Sequence, residues 1–180
     1  MNDFQYYKDC FSNLHTAHAK KFPAPHKPLL LLSIIDLVER GFIASNKIEL
    51  TDILIRTFKA NANRFIGHSI IFRLNIGQPF YHLQHETFWN LIPVSQENEL
   101  NLTAEVAHIC VPKKAVYSIK GIREQYKYAL IDRELFELLQ NADVRAKLRT
   151  TLISKYLTQQ PNTVAPLTVL PLVIALSLIA

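Results

Sequence analysis

Apolar side chains recur with a helical period near the start of the chain. Residues 2–19 place four of them and one histidine at spacings of three and four, which is the stripe of an amphipathic helix: Phe4, Tyr7, Phe11, Leu14 and His18. A loop rich in proline follows, and Pro28 can occupy the first turn of a second helix that Gly41 ends. Since that helix (PLLLLSIIDLVER) is apolar on most faces, we expect it to lie at the centre of the core.

The next stretch predicts a short strand and then a helix. The segment NKIEL (46–50) has strand character, and Thr51 can cap a helix that runs to about Asn61. Helix, strand and helix in this order are typical of a winged-helix-like unit.

The period changes to that of strands between Gly77 and Pro93. The aromatic-rich segments PFYHLQ and TFWNLIP predict two short strands joined around His85 and Glu86, which gives a β-hairpin or a small sheet. In a strand, a spacing of three would point His82 and His85 to opposite faces. Residues 94–112 carry no clear pattern apart from a possible strand around AHICV.

The last third of the chain again predicts helices. Asp132 can cap a helix that starts at Arg133, Asn141 interrupts it, and residues 142–157 form a final amphipathic helix. The fold class expected is therefore α+β: mainly helical, with a winged-helix-like unit and a small antiparallel β-hairpin or sheet, in one domain over residues 1–158.

Residues 159–180 form an apolar tail without any charged residue. Pro166 and Pro171 divide it, which disfavours a membrane-spanning helix. We expect a tail that is covered by a partner, or a non-native end. A second hypothesis for the whole chain is therefore an interaction protein that docks a partner or a membrane through this tail.

Composition indicates a globular protein of a reducing compartment. Hydrophobic residues make up 49% of the chain and charged residues 19%, which suits a real core. The two cysteines, Cys10 and Cys110, are too few for a disulfide scaffold. The N-terminus lacks the basic start and apolar run of a secretory signal. We expect a cytoplasmic protein.

The formal net charge of +5 is concentrated in the second half of the chain. Residues 1–112 hold ten Lys and Arg against ten Asp and Glu, whereas residues 113–158 hold ten against five. This half is the candidate phosphate-facing surface. The candidate phosphate contacts are Lys113, Lys114, Lys120, Arg123 and Lys127.

Catalytic and cofactor motifs are missing from the sequence. The chain has no GxSxG elbow, P-loop or GxGxxG, and no cluster of histidines and asparagine of the kind that an HNH nuclease needs. The pairs His15/His18 and His82/His85 have HxxH spacing but no third ligand nearby, which favours ordinary surface or core histidines. We predict no catalytic residue, no metal and no cofactor; a hydrolase is the third and weakest hypothesis.

Three motifs in the same order resemble the sulfur-binding domain of phosphorothioate-dependent HNH restriction endonucleases. They are PHKPLLLLSIIDLVERG, QPFYHLQHETFW and YALIDRELFELL…VRAKLRTTLISKYL, and together they extend over about residues 4–157. The resemblance implies a domain that binds duplex DNA at a backbone phosphate in which sulfur replaces one non-bridging oxygen. In the family an HNH nuclease usually follows this domain. Here we expect a stand-alone module, a partner of a separate nuclease subunit, or a truncated nuclease.

The resemblance also implies a set of site residues. The sulfur pocket would involve Pro79 between Gln78 and Phe80, next to Tyr81, with a cation from His26–Lys27 or from Arg73. Two features depart from the family pattern: Gln78 replaces a tyrosine, and His85-Glu86-Thr87 replaces Asn-Asp-Gly. A polar amide in place of a phenol ring makes the pocket less apolar. From the residues alone, Lys27 is equally a surface lysine at the start of a helix, and Phe80, Phe88 and Trp89 are core aromatics more readily than ligand contacts.

Overall fold

The computed structural model describes residues 3–19, 22–67, 74–94 and 117–158, and within these ranges the fold is α+β and mainly helical, as predicted. In chain order the elements are α1 (Asp3–Ser12), β1 (His18–Ala19), β2 (Phe22–Pro23), α2 (His26–Glu39), β3 (Lys47–Ile48), α3 (Asp52–Phe65), α4 (Gly77–His82), a 3-10 turn (Leu83–His85), β4 (Trp89–Pro93), α5 (Ile119–Gln125), β5 (Tyr126–Ile131), α6 (Arg133–Leu138), α7 (Ala142–Leu152) and a π-helical turn (Ile153–Leu157).

Helix α2 is the centre of a single hydrophobic core. Every residue from Lys27 to Val38 is buried except Asp36, which is half-buried, because the helix is apolar on nearly all faces. Helices α3, α4 and α7 pack against it. The helix begins at His26, so that Pro28 lies in its first turn as expected, and Gly41 follows its end with a φ of +73° that favours glycine.

A polar network ties the C-terminal half of α2 to α3 and α7. Asn61 Nδ2 donates to Ser33 Oγ at 3.1 Å and to Asp36 Oδ2 at 2.8 Å. Arg149 Nη2 donates to Asp36 Oδ1 at 2.9 Å and to Glu39 Oε2 at 2.6 Å. The hydrogen bonds from Arg149 are the main cause of the lowered pKa of Glu39. Polar side chains of three helices, of which Ser33 and Asn61 are buried, thus satisfy one another.

The main sheet has three antiparallel strands in the order β3-β5-β4. Trp89 of β4 lies opposite Ile131 of β5, and Ile48 of β3 lies opposite Ala129. The register between β4 and β5 shifts between Ile92, which pairs with Tyr128, and Pro93, which pairs with Tyr126. The β5 segment was not predicted as a strand.

The predicted hairpin around His85 is wrong. The segment PFYHLQ lies in helix α4 and the 3-10 turn, and the partner of β4 is β5. Local contacts favour the helix: Asn75 Oδ1 accepts from the Gly77 backbone N–H at 2.9 Å, and Trp89 Nε1 donates to the Phe80 carbonyl at 3.0 Å. The aromatic side chains that suggested a strand are buried by tertiary packing instead.

Three helix boundaries agree with the sequence and two differ. Thr51 caps α3 by accepting from the Leu54 N–H, Asn141 caps α7, and α6 begins at Arg133 as expected. The first helix was expected to extend over residues 2–19 but ends at Ser12, whose carbonyl accepts from Tyr156 Oη at 2.8 Å. Helix α3 runs four residues beyond the expected Asn61.

Two sequence predictions lie outside the described residues. They are the possible strand around AHICV and the apolar tail over residues 159–180. Within the part of the chain that the structure describes, none of the helices has the length and apolar character needed to cross a bilayer.

Candidate functional site

A cleft of about 580 Å³ lies between the chain that enters α2 and helix α4. One wall comes from the segment after α1 and from the start of α2, with His15, Thr16, Ala17, Ala24, His26 and Lys27. The other wall comes from α4 and the turn that follows it, with Gln78, Pro79, His82 and His85. The volume is within the usual range of ligand-binding sites.

The cleft brings together four of the residues that the sequence indicated as site residues: His26, Lys27, Gln78 and Pro79. They come from two segments about fifty positions apart. The helical geometry of α4 explains the grouping on the second wall. At 100° per residue, positions 78, 79 and 82 fall on one face of the helix, whereas position 80 falls on the opposite face.

Phe80 and Tyr81 lie away from the cleft wall. Phe80 is 1% exposed and packs edge-to-face on Trp89 with ring centroids 5.3 Å apart. Tyr81 is half-buried and contacts the rings of Tyr117 and Tyr126. The structure thus assigns Phe80 to the core. Arg73, the alternative cation, lies outside the described residues.

A buried carboxylate, Glu86, joins the two walls. Its Oε1 accepts from Lys27 Nζ at 2.5 Å and from the His15 backbone N–H at 3.0 Å, and its Oε2 is 3.1 Å from His15 Nδ1. The side chains of Lys27 and Glu86 are only 8% and 5% exposed. Burial would raise the pKa of Glu86, but the hydrogen bonds from Lys27 and His15 outweigh it and lower that pKa below its ordinary value.

This pairing changes the role expected of Lys27. Its charge is matched by Glu86 inside the protein, so it is no exposed phosphate-attracting lysine. The ammonium group has three N–H donors, and it remains part of the cleft wall. It therefore fits a short-range donor to a ligand oxygen better than a long-range source of positive potential.

The two histidines of α4 and its following turn lie side by side. The rings of His82 and His85 are 6.0 Å apart at 24°, so the expectation that they point to opposite faces is wrong, because the segment is helical. On its other side His82 stacks on Tyr117 at 5.1 Å. Burial is the largest cause of the lowered pKa of His82, and the charges of His85 and Lys27 lower it further. The folded protein thus favours the neutral form of His82 more than the unfolded chain does.

Three of the candidate phosphate contacts lie in the described part of the chain. Lys120 is on α5 with its side chain 86% exposed, 3.7 Å from Glu124. Arg123 donates to the Leu50 carbonyl at 2.8 Å and to Asp52 at 2.7 Å, so it ties α5 to the start of α3. Lys127 is exposed at the irregularity of β5. Lys113 and Lys114 lie outside the described residues.

A second, smaller cleft of about 280 Å³ separates α3 from the chain before α4. Lys59 and Asn63 of α3 line it together with Asn75 and Ile119. Asn75 is only three residues from Gln78 of the main cleft.

Sequence reasoning missed Glu86 and the partnership of His82 with His85 as parts of the site. A helical interpretation of residues 77–85 would have found the histidines, since 78, 82 and 85 have the spacing of one helix face. Glu86 carried no such signal, because its partners His15 and Lys27 lie 71 and 59 positions away in the sequence.

The described residues contain no group of three or more His, Cys, Asp or Glu arranged to hold a metal ion. No protein-family model matches this sequence, and a comparison with curated proteins finds no match. The geometry of the cleft is therefore the main guide to function.

Proposed function

We propose that this protein binds phosphorothioate-modified duplex DNA and serves as the recognition module of an HNH-type restriction system in the cytoplasm. The observation that carries the proposal is the main cleft, in which His26, Lys27, Gln78 and Pro79 meet although they belong to two separate motifs. A nuclease activity would come from a separate subunit or domain.

The chemistry of the cleft suits a thiophosphate diester. Sulfur is larger, softer and less well hydrated than oxygen, so apolar atoms can receive it at a lower desolvation cost. Pro79, Ala17 and Ala24 supply such atoms. The remaining oxygen and the negative charge require donors, which the Lys27 ammonium and the histidine rings on the walls can provide.

Gln78 determines how strong a preference for sulfur over oxygen we expect. It is exposed on α4 and lines the cleft where the family pattern has a tyrosine. An amide is well hydrated, and placing sulfur beside it gains less than placing sulfur against a phenol ring. We expect a preference for sulfur over oxygen of about 1–3 kcal/mol from the cost of mismatched polar and apolar burial.

The test is a comparison of two duplexes of one sequence, with and without a single phosphorothioate link. The parent protein should bind the modified duplex about fivefold to a hundredfold more tightly, since 1.4 kcal/mol is a factor of ten. Pro79→Ser puts a hydroxyl against the sulfur and should remove most of this ratio, whereas Gln78→Tyr should increase it.

A matched control separates charge from sulfur recognition. The double variant Lys27→Met/Glu86→Gln removes a donor while leaving neither charge buried alone, so it should weaken both duplexes with little change in their ratio. A parent protein without a preference, or a Pro79→Ser variant that keeps the full ratio, would show that the cleft is no sulfur pocket.

The alternative hypothesis of a tail-docked interaction protein stays a prediction, because residues 159–180 lie outside the described part of the chain. Deleting them should abolish localisation under that hypothesis and leave DNA binding unchanged under ours.

A further inference from the structure

Helix α3 has a basic face that the net charge of residues 1–112 does not reveal. The first 112 residues are neutral in sum, with ten cationic and ten acidic side chains. The fold nevertheless gathers three exposed cations on the outer side of α3: Arg56, Lys59 and Arg64. At 100° per residue they lie within an arc of about 140°, opposite the buried Leu54, Phe58 and Ala62.

The acidic side chain of α3 is already neutralised. Asp52 is the only Asp or Glu between Thr51 and Ile66, and it accepts from Arg123 of α5 at 2.7 Å. That hydrogen bond is the main cause of the lowered pKa of Asp52, which stays ionised and paired. Among the described residues, no ion pair engages Arg56 or Lys59. Three cations thus share the outer side of α3 with a single carboxylate that is already paired, and the face keeps a net positive charge.

The basic face continues into the surface that the sequence had indicated. Arg123 ties the start of α3 to α5, which also carries the exposed Lys120. Midway along α3, Lys59 borders the small cleft, which Asn75 also lines. Asn75 and Gln78 are three residues apart, so their Cα atoms are at most about 11 Å apart. The small cleft that Lys59 lines therefore has one wall residue, Asn75, within about 11 Å of Gln78 in the main cleft.

We propose that the outer face of α3 is a docking surface for the phosphate backbone of the same duplex DNA whose modified nucleotide the cleft holds. This inference rests on the proposed function, since it takes duplex DNA as the ligand. Fourteen residues of helix extend about 21 Å, and a duplex carries one negative charge per about 1.7 Å of its axis. Charge complementarity favours this partner over an apolar peptide.

The α3 face and the cleft would contribute differently to binding. Contacts of Arg and Lys with phosphates fix the position of a protein on the duplex and carry no direct information about sequence or sulfur. The α3 face would hold any duplex, and the cleft would then distinguish a thiophosphate from a phosphate.

The experiment compares two triple variants of the full chain. Arg56→Gln/Lys59→Gln/Arg64→Gln removes the α3 face, and glutamine preserves helix propensity. The control, Lys8→Gln/Arg40→Gln/Lys47→Gln, removes the same charge from α1, the end of α2 and β3, outside both clefts and outside the basic half of the chain. Both duplexes, modified and unmodified, are titrated at several salt concentrations, and circular dichroism checks that each variant is folded.

The α3 variant should bind both duplexes at least about tenfold more weakly at low salt. Its plot of log affinity against log salt should be shallower by about 2.7, which is 0.9 for each of three lost contacts. The sulfur preference should stay the same, and the control should remain within about twofold of the parent. An α3 variant that binds as the parent does, or a control that loses as much, would overturn the inference.

Failure of the proposed function gives a different result. In one outcome the parent shows no sulfur preference, while the α3 variant still binds more weakly and with a smaller salt dependence. That result would support the docking surface and contradict the sulfur pocket. A parent that binds neither duplex overturns both. Tighter binding to an RNA duplex of the same sequence would overturn the assignment of the surface to DNA.

Discussion

At the scale of single residues, the contact between Lys27 and Glu86 is the most consequential feature of the cleft. It buries one charge of each sign at the junction of the two walls, with His15 as a second donor to the carboxylate. A pair of this kind adds little stability over an apolar pair, yet breaking it leaves a lone buried charge. In this protein the Lys27–Glu86 pair fixes the position at which the two walls of the cleft meet.

Glu86→Gln should lower the free energy of unfolding by about 3 kcal/mol, because it leaves the Lys27 ammonium buried without a counter-charge. The double variant with Lys27→Met should recover much of this loss. Urea denaturation of both single variants and the double variant measures the coupling. Additive losses would show that the two side chains do not depend on each other.

The pH dependence of this pair has a defined sign. The pKa of Glu86 is lower in the folded protein than its ordinary value. The ionised carboxylate therefore contributes fully to the free energy of unfolding above the ordinary pKa, and this contribution is lost as the pH falls through the folded pKa. The difference in stability between the parent and Glu86→Gln should accordingly narrow in acid.

His82 should make the protein less stable in weak acid. Its pKa is lowered by burial and by the nearby charges of His85 and Lys27, so the unfolded chain takes up this proton first as the pH falls below 6.5. His82→Phe keeps a ring against Tyr117 and removes the titration. The free energy of unfolding should fall less between pH 7.5 and 5.5 in this variant than in the parent. An equal fall in both proteins would assign the acid sensitivity to other groups.

At the scale of elements, the junction between α4 and α5 holds one wall of the cleft. Asn75 Nδ2 donates to the Tyr117 carbonyl at 2.9 Å, and Gly77 packs against the same peptide group. A Cβ atom on Gly77 would lie 2.1 Å from the Tyr117 oxygen. The absence of a side chain at position 77 is thus what allows the two helices to approach.

Gly77→Ala should therefore destabilise the protein by about 1–3 kcal/mol through overpacking, although the same change in an open helix stabilises by about 1 kcal/mol. It should also shift the NMR signals of the His82 ring, which stacks on Tyr117. Gly41→Ala is the matched control: its Cβ meets nothing within 4 Å, so only the strain of its positive φ applies and the His82 signals should not move. A stabilised Gly77→Ala protein would contradict the close approach.

Elements with a strong local pattern could be predicted from the sequence, and those defined by distant partners could not. Helix α2 is apolar throughout, and Thr51 and Asn141 cap the helices that follow them. Residues 79–84 are rich in aromatic side chains, which suits a strand, but these side chains pack on elements distant in sequence, and the segment forms a helix and a 3-10 turn. Strand β5 has partners about 40 and 80 positions away, which no local window contains.

The same limit applies to the candidate site. Motif resemblance indicated His26, Lys27, Gln78 and Pro79, and the fold brings them to one cleft. It did not indicate that Lys27 is paired with Glu86, because their separation of 59 positions leaves no periodic signal. The basic face of α3 was hidden for another reason: a sum over 112 residues does not report how the charges are arranged on one helix.

At the scale of the whole molecule, binding and cutting should be separate. The sequence offers no nuclease motif, so the purified protein with Mg²⁺ or Mn²⁺ should leave phosphorothioate-modified duplex DNA uncut. A denaturing gel of end-labelled duplex after prolonged incubation measures this. Metal-dependent cleavage that a substitution of His82 or His85 abolishes would make the protein an enzyme.

The strand order β3-β5-β4 affects how the sheet can form while the protein is synthesised on the ribosome. The two outer strands are translated first, and the strand that must lie between them, Tyr126–Ile131, comes last. Until it emerges, β3 and β4 expose unpaired edges, and Trp89 lacks its neighbour Ile131. A ribosome that stalls before residue 126 thus holds a nascent chain that is prone to aggregation and proteolysis. The sheet can form only after residue 131 has been translated and has left the ribosome.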